Sequence, residues 1–193
     1  MEGSRPMISR WYIWWAVRWF RKSGWRFTGP LPRGVRRLVI VAGPHTSTLD
    51  FRIAVAVTRL AGFKTTLLVN KKYFHWPYTV VFKTLGAMPK DPGNDTSWKF
   101  PVLENFRSKK RYSVVFTPDS PTDPARFNTE WLDVAMEAGV PIMLIGLDHK
   151  RKYVRLHSWF YPSGDRERDI HFVRSYIASV AGHVPMPGIT EVP

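Results

Sequence analysis

The feature that most constrains the fold is a series of short, almost continuous apolar runs separated by segments of helical periodicity. These runs lie at 37–42, 65–69, 112–116 and 140–145. They have the length of strands, and an almost continuous apolar run is typical of a strand buried on both faces of a largely parallel sheet. The segments between them include predicted helices at 97–107 and at 130–138, the latter closed by Gly139. The chain is therefore expected to form an α/β fold, with a central parallel or mixed sheet flanked by helices.

Local signals predict where several other elements begin and end. Pro77 delays the start of a helix within 71–85. The stretch 89–94, which is rich in proline and glycine, is predicted to be a loop. Residues 153–157 alternate in polarity and predict an edge strand, and 165–181 has the apolar periodicity of an amphipathic helix.

Composition limits the classes of function that the chain can have. It has 193 residues, enough for one domain with a real core, and a formal net charge of +14. Such a charge indicates an anionic partner, which could be a membrane surface, a phosphorylated small molecule or a nucleic acid. The chain has no cysteine. Disulfides, thiolate zinc sites and a cysteine nucleophile are therefore excluded.

The N-terminal segment concentrates both tryptophan and positive charge. Five of the nine tryptophans fall within the first 25 residues, and the first 37 residues carry nine lysines or arginines against one acid. We predict an amphipathic helix in which Ile8, Trp11, Trp15 and Trp19 share a face. Indole rings flanked by arginine suit the headgroup region of a bilayer. The candidate membrane-binding residues are Trp11, Trp14, Trp15, Arg18 and Trp19.

This interpretation has two rivals and implies a division of the chain. The same aromatic side chains could pack on the core of the domain, or they could stack on single-stranded nucleic acid.

We favour the membrane, with residues 1–27 as an amphipathic interfacial segment and residues 28–193 as a single domain. No apolar run approaches the length that crosses a bilayer. We therefore expect a peripheral protein on the cytoplasmic face of an anionic membrane, with no nucleic-acid partner.

The best candidate for chemistry is a histidine five positions before an aspartate. His45 follows a predicted strand, and Asp50 falls in the first turn of a helix that Ser47 or Thr48 could cap. A neutral imidazole can take a proton from a hydroxyl, while a carboxylate fixes its tautomer and stabilises the imidazolium. Such a pair lacks a nucleophile of its own, so the attacking hydroxyl must belong to a substrate. By itself this spacing also fits a loop histidine bonded to a helix-capping aspartate.

Several segments taken together resemble a known family. The block Pro44-His-Thr-Ser-Thr-Leu-Asp-Phe51 resembles the His-x4-Asp motif of the glycerolipid acyltransferase superfamily, of the lysophosphatidic acid acyltransferase type. The segments 71–77 and 85–89 resemble its second block, and Val140-Pro-Ile-Met-Leu144 resembles its fourth. The resemblance implies that His45 is a general base oriented by Asp50. It also implies that an acyl thioester reacts directly with an acceptor hydroxyl.

Two departures from the family pattern concern the acceptor. The second block lacks its arginine and reads Pro89-Lys-Asp-Pro92, while the third block places Asp119 and Thr122 where the family has glutamate and arginine. Those arginines are thought to hold a phosphate, a task suited to the guanidinium group. Lys90 and Arg126 could replace them, or the acceptor could lack a phosphomonoester. The candidate substrate-binding residues are Ser47, Lys90, Asp119, Ser120 and Arg126.

The sequence thus predicts a membrane-peripheral O-acyltransferase. It would transfer a fatty acyl group from acyl-CoA or acyl carrier protein to a lysophospholipid or another lipid hydroxyl. The acyl donor is a co-substrate, and we expect neither a metal nor a resident cofactor. The main alternative is a catalytically impaired relative that binds lipid or a partner. A basic nucleic-acid-binding protein is a third possibility, which the salt dependence of binding to single strands would test.

Overall fold

The fold is given by a computed structural model that describes residues 7–29, 34–43, 49–63, 65–76, 78–91, 96–117 and 127–180. The helices within these residues are α1 (Met7–Lys22), α2 (Leu49–Leu60), α3 (Tyr78–Thr84), α4 (Lys99–Ser108), α5 (Glu130–Ala138) and α6 (Arg166–Val180). The strands are β1 (Arg26–Thr28), β2 (Arg37–Gly43), β3 (Thr65–Asn70), β4 (Met88–Lys90), β5 (Tyr112–Phe116), β6 (Ile142–Asp148) and β7 (Tyr153–Leu156). A short 3-10 helix, Lys71–Tyr73, follows β3.

The strands form one mixed sheet in the order β1-β7-β6-β2-β5-β3-β4. The five strands from β6 to β4 in this order run parallel to their neighbours, as the buried apolar runs predict. β7 is antiparallel to β6, and β1 is parallel to β7. The predicted α/β class with a largely parallel, mixed sheet is therefore confirmed.

Strand β2 lies at the centre of the sheet and is covered on both faces. Leu38, Ile40 and Ala42 point into a core that includes α1 and α2. Val39 and Val41 point into a second core formed with α4, α5 and α6. Successive side chains of β2 thus enter opposite cores, as expected for a sheet that lies between two layers of helices.

Two elements differ from the sequence prediction, and both lie at edges of the sheet. β4 falls where the sequence predicts the start of a loop, because Pro89 argues against a strand. As β4 pairs only with β3, Pro89 sits on an edge strand, where its missing N–H disrupts no second ladder. At the opposite edge, β1 pairs with β7, so the predicted edge strand is an inner one. β1 has only three residues, too few to show a periodic pattern, and it spans the boundary expected between residues 27 and 28.

Helix boundaries agree with the local signals. α3 begins at Tyr78, immediately after Pro77, and α5 ends at Gly139, which adopts a left-handed conformation with φ of 62°. On α6, Val173, Ile177 and Val180 are buried on one side, as the periodicity of 165–181 predicts. Strand β6 is displaced by two residues from the predicted 140–145. It starts after Pro141 and continues to Asp148.

Helix α6 approaches the sheet closely over two glycines. Gly43 and Gly146 are register partners on β2 and β6. A Cβ atom on Gly146 would lie 2.5 Å from Cγ2 of Val180, and one on Gly43 would lie 3.0 Å from Cγ2 of Ile177. The absence of side chains at these positions therefore fixes how closely α6 packs on the carboxyl ends of the central strands.

We predict that Gly146→Ala destabilises the fold by about 1–3 kcal/mol, because the added methyl group overlaps Val180. Val180→Ala alone should cost about 1–2 kcal/mol through lost burial. The double variant should lose less stability than the sum of the two single losses, because the shortened side chain makes room for the added methyl group. Urea unfolding monitored by circular dichroism measures these free energies. Val173→Ala, a buried valine on the same helix, is the matched control and should add independently to Gly146→Ala.

Candidate active site at the carboxyl edge of the sheet

The carboxyl ends of the parallel strands define one edge of the sheet. β2 ends at Gly43, β3 at Asn70, β4 at Lys90, β5 at Phe116 and β6 at Asp148. In open α/β sheets, the loops that leave this edge form the binding sites. The candidate site is therefore built from the chain segments that leave the ends of these strands.

The His-x4-Asp block lies between β2 and α2. Gly43 is the last residue of the central strand, and α2 begins at Leu49, so that Asp50 is in the first turn of the helix. His45 and Ser47 lie outside the described residues, as does the side chain of Asp50.

The third predicted block starts from the neighbouring strand. β5 pairs with β2 over its whole length and ends at Phe116. Asp119 follows that end by three residues, and His45 follows the end of β2 by two. Asp119, Ser120 and Arg126 lie outside the described residues, so the structure gives no contact for them. The topology nevertheless starts both chain segments from adjacent strands at the same edge.

Lys90, a candidate substrate-binding residue, already has an anionic partner. Its ammonium group forms an ion pair with the carboxylate of Glu130, the first residue of α5, and its side chain is only 18% exposed. The ammonium nitrogen also lies 5.1 Å from the ring centroid of Trp98. Asn128 Nδ2 donates a hydrogen bond of 2.8 Å to Glu130 Oε2. Lys90 therefore connects the end of β4 to the helix that comes after residues 118–126.

A second ion pair lies at the same edge and is more exposed. Lys71 Nζ, directly after β3, is 3.0 Å from Asp91 Oδ2, directly after β4. Sequence reasoning did not select Lys71, Asp91 or Glu130 as site residues. Their charges are ordinary for loop and helix-end positions, and only the pairing of β3 with β4 brings the first two together.

Helix α1 divides its aromatic residues between two environments. Ile13, Ala16 and Phe20 are buried in the core shared with α2. Trp11 and Trp14 are 65% and 57% exposed. The guanidinium carbon of Arg18 lies 5.5 Å from the ring centroid of Trp14. The exposed outer edge of α1 therefore combines two indole rings with a cation.

The inner edge of the same helix contacts α2. Trp15 and Trp19 are half-buried, and the guanidinium carbon of Arg52 lies 5.0 Å and 5.9 Å from the centroids of their rings. Burial raises the pKa of Tyr12, while the charge of Arg52 and a hydrogen bond to it act in the opposite direction. Core packing and surface exposure of tryptophans, which are rival interpretations of the sequence, thus occur on one helix.

A small pocket lies between α1, α2 and β3. Ile13, Val55, Thr58 and Leu67 contribute to its lining, and its volume of about 20 Å³ suits a single water molecule. It includes Thr65, the first residue of β3, and so lies at the amino end of that strand. It is far too small for an acyl chain and is distant along β3 from the carboxyl edge.

The described residues were also compared with the requirements for a membrane-spanning helix and for a metal site. None of the helices in the described ranges is long and apolar enough to cross a bilayer. Nor do three or more potential metal-ligating side chains come together among the residues with described side chains.

Comparison with known proteins found no matching family model and no matching curated protein.

We predict that the Lys90–Glu130 pair contributes more stability than the Lys71–Asp91 pair. In a cycle of Lys90→Met and Glu130→Gln, we expect a coupling of about 1 kcal/mol, since both groups are mostly shielded from water. The matched cycle of Lys71→Met and Asp91→Asn should give a few tenths of a kcal/mol at most, because that pair is exposed. Urea unfolding of the variants in both cycles measures the two coupling energies. Equal coupling energies would contradict the prediction that the Lys90–Glu130 pair contributes more stability.

Proposed function

We propose that this protein is a membrane-peripheral O-acyltransferase with His45 as general base and Asp50 as the carboxylate that orients it. The proposal is carried by one observation. The His-x4-Asp block connects the carboxyl end of the central parallel strand to the first turn of a helix. This is where α/β folds place their catalytic groups. The resemblance of this block to the His-x4-Asp motif of glycerolipid acyltransferases favours acyl transfer over a capped loop.

The proposed reaction needs no covalent enzyme intermediate. His45 removes the proton from the acceptor hydroxyl while the hydroxyl oxygen attacks the carbonyl carbon of the acyl thioester. The tetrahedral intermediate collapses, the carbon–sulfur bond breaks, and the leaving thiolate takes the proton from the imidazolium. Base catalysis of this kind contributes about 10²–10⁴-fold to the rate. The chain has no cysteine, which is consistent with this direct route.

The acceptor that we propose is a lipid hydroxyl without a phosphomonoester. Lys90, one of the two cations that could replace the missing arginines, already forms an ion pair with the carboxylate of Glu130. Thr122 stands where the family has its other arginine. A phosphomonoester would thus meet less positive charge than in relatives that have both arginines. A lyso-aminolipid or a glycolipid fits this site better.

We predict that His45→Ala lowers acyl transfer by at least about 100-fold, because the acceptor loses its base. Asp50→Asn should also lower it, through an incorrectly oriented imidazole. Release of the CoA thiol from palmitoyl-CoA measures turnover with lyso-lipids that carry or lack a phosphate. As the protein has no cysteine, it contributes no thiol background. His171→Ala on α6 is the matched control, and near wild-type turnover by His45→Ala would refute the assignment.

Membrane attachment is proposed through the outer edge of α1, on the cytoplasmic face of an anionic bilayer. Trp11 and Trp14 are exposed, and Arg18, Arg21 and Lys22 add positive charge on the same helix. Indole rings favour the boundary between headgroups and acyl chains, while cations favour anionic headgroups. Trp15 and Trp19 contact Arg52 and contribute less to insertion in this arrangement.

We predict that replacing Trp11 and Trp14 by alanine weakens vesicle binding by about tenfold for each residue. Burying roughly 55 Å² of each ring would account for such a factor. Co-sedimentation with phosphatidylcholine vesicles, with and without phosphatidylglycerol, measures the affinity. Trp159→Ala, an exposed tryptophan outside α1, is the control. Equal binding by the double variant and the wild type would exclude this surface.

The second candidate function is a catalytically impaired relative that binds lipid or a partner. The ion pair between Lys90 and Glu130 favours the impaired relative, because it uses one of the possible acceptor contacts within the fold. The two candidates differ in the turnover assay. Retained vesicle binding without thiol release from any acceptor would support the impaired relative.

A further inference from the structure

Arg52 holds a position on α2 that the proposed chemistry does not explain. It lies two residues after Asp50 and is half-buried. Its guanidinium carbon lies within 6 Å of the ring centroids of both Trp15 and Trp19, the separation at which cation–π attraction is significant.

Three aromatic residues of α1 face this guanidinium group. Tyr12, Trp15 and Trp19 follow one another at the spacing that places side chains along one side of a helix. The rings of Tyr12 and Trp15 are 5.9 Å apart. These three residues, which we call the aromatic cage, contact the guanidinium group from the α1 side.

The cage contacts α2 one residue before Ile53, the first described side chain of α2 that packs in the apolar core. Ile53, Ala56 and Val57 of α2 are buried in the same core as Ile13 and Ala16 of α1. These apolar contacts hold the body of α2. Arg52 extends the contact back to the first turn, where helices fray because their terminal amides have no intrahelical acceptor.

We infer that Arg52 is a positioning residue through which α1 holds the first turn of α2, the turn that carries Asp50. Docking of α1 and order in that turn are then coupled. A bilayer orders the turn to the extent that it binds docked α1 more tightly than undocked α1. By linkage, order in the turn strengthens membrane binding by the same factor. The consequence for turnover rests on the proposed acyltransferase function, but the coupling itself does not.

Hydrogen exchange tests the coupling without any assay of activity. In an α-helix, the amides of residues 53–56 donate to the carbonyls of residues 49–52, so their exchange reports on the first turn. On the full chain, we expect vesicles of phosphatidylcholine and phosphatidylglycerol to slow this exchange by about tenfold. In Arg52→Met, which keeps an apolar stem, saturating vesicles should give no such protection. A merely structural role for Arg52 would leave the response to vesicles intact.

Control variants separate this coupling from a general loss of stability. Arg52→Lys keeps a cation over the rings and should retain most of the protection, while Arg59→Met, on the last turn of α2, should retain all of it. Trp19→Leu removes one ring of the cage from the α1 side and should lower the protection about threefold. This variant provides the test if Arg52→Met fails to fold.

The outcomes distinguish this inference from the proposed function. Vesicle binding without protection of residues 53–56 in the wild type, or equal protection in Arg52→Met, overturns the coupling alone. Absence of vesicle binding by the wild type overturns both. Where acyl transfer is observed, Arg52→Met should lower kcat by about tenfold and leave KM unchanged, because the variant affects the orientation of Asp50 and not acceptor binding.

Discussion

The burial of β2 on both faces organises the fold around the central strand. Its five central side chains alternate between two cores, and its hydrogen bonds pair it with β5 and β6. A strand so enclosed cannot change register, since a shift by one residue would exchange the side chains of the two cores. The end of β2 at Gly43, and with it the start of the His-x4-Asp block, is therefore fixed by packing.

Helix α1 shows how one element can serve the core and a surface together. Its burial of Ile13, Ala16 and Phe20 anchors it against α2, while Trp11 and Trp14 remain exposed. The hydrophobic effect alone would favour burying all of these side chains. Exposed indoles on an anchored, positively charged helix are the observation from which the proposed membrane attachment is argued.

Two lysines at the carboxyl edge of the sheet have their charge compensated within the fold. The protein carries a large positive charge, yet Lys90 and Lys71 are both paired with carboxylates there. In the described part of this edge, these two cations are therefore compensated within the fold. The neutral acceptor proposed above rests on the compensation of Lys90.

Local sequence signals were sufficient to predict the α/β class, the central strands and the placement of Asp50 at the start of a helix. Apolar runs, proline and glycine act locally and can be read from a few residues. That β1 and β4 are strands emerged from the fold alone, because each owes its hydrogen bonds to a partner strand that local sequence does not reveal. The fold also decided that Lys90 pairs with Glu130 and that Arg52 meets Trp15 and Trp19. Such contacts depend on how helices and strands pack together, and no local pattern in the sequence specifies them.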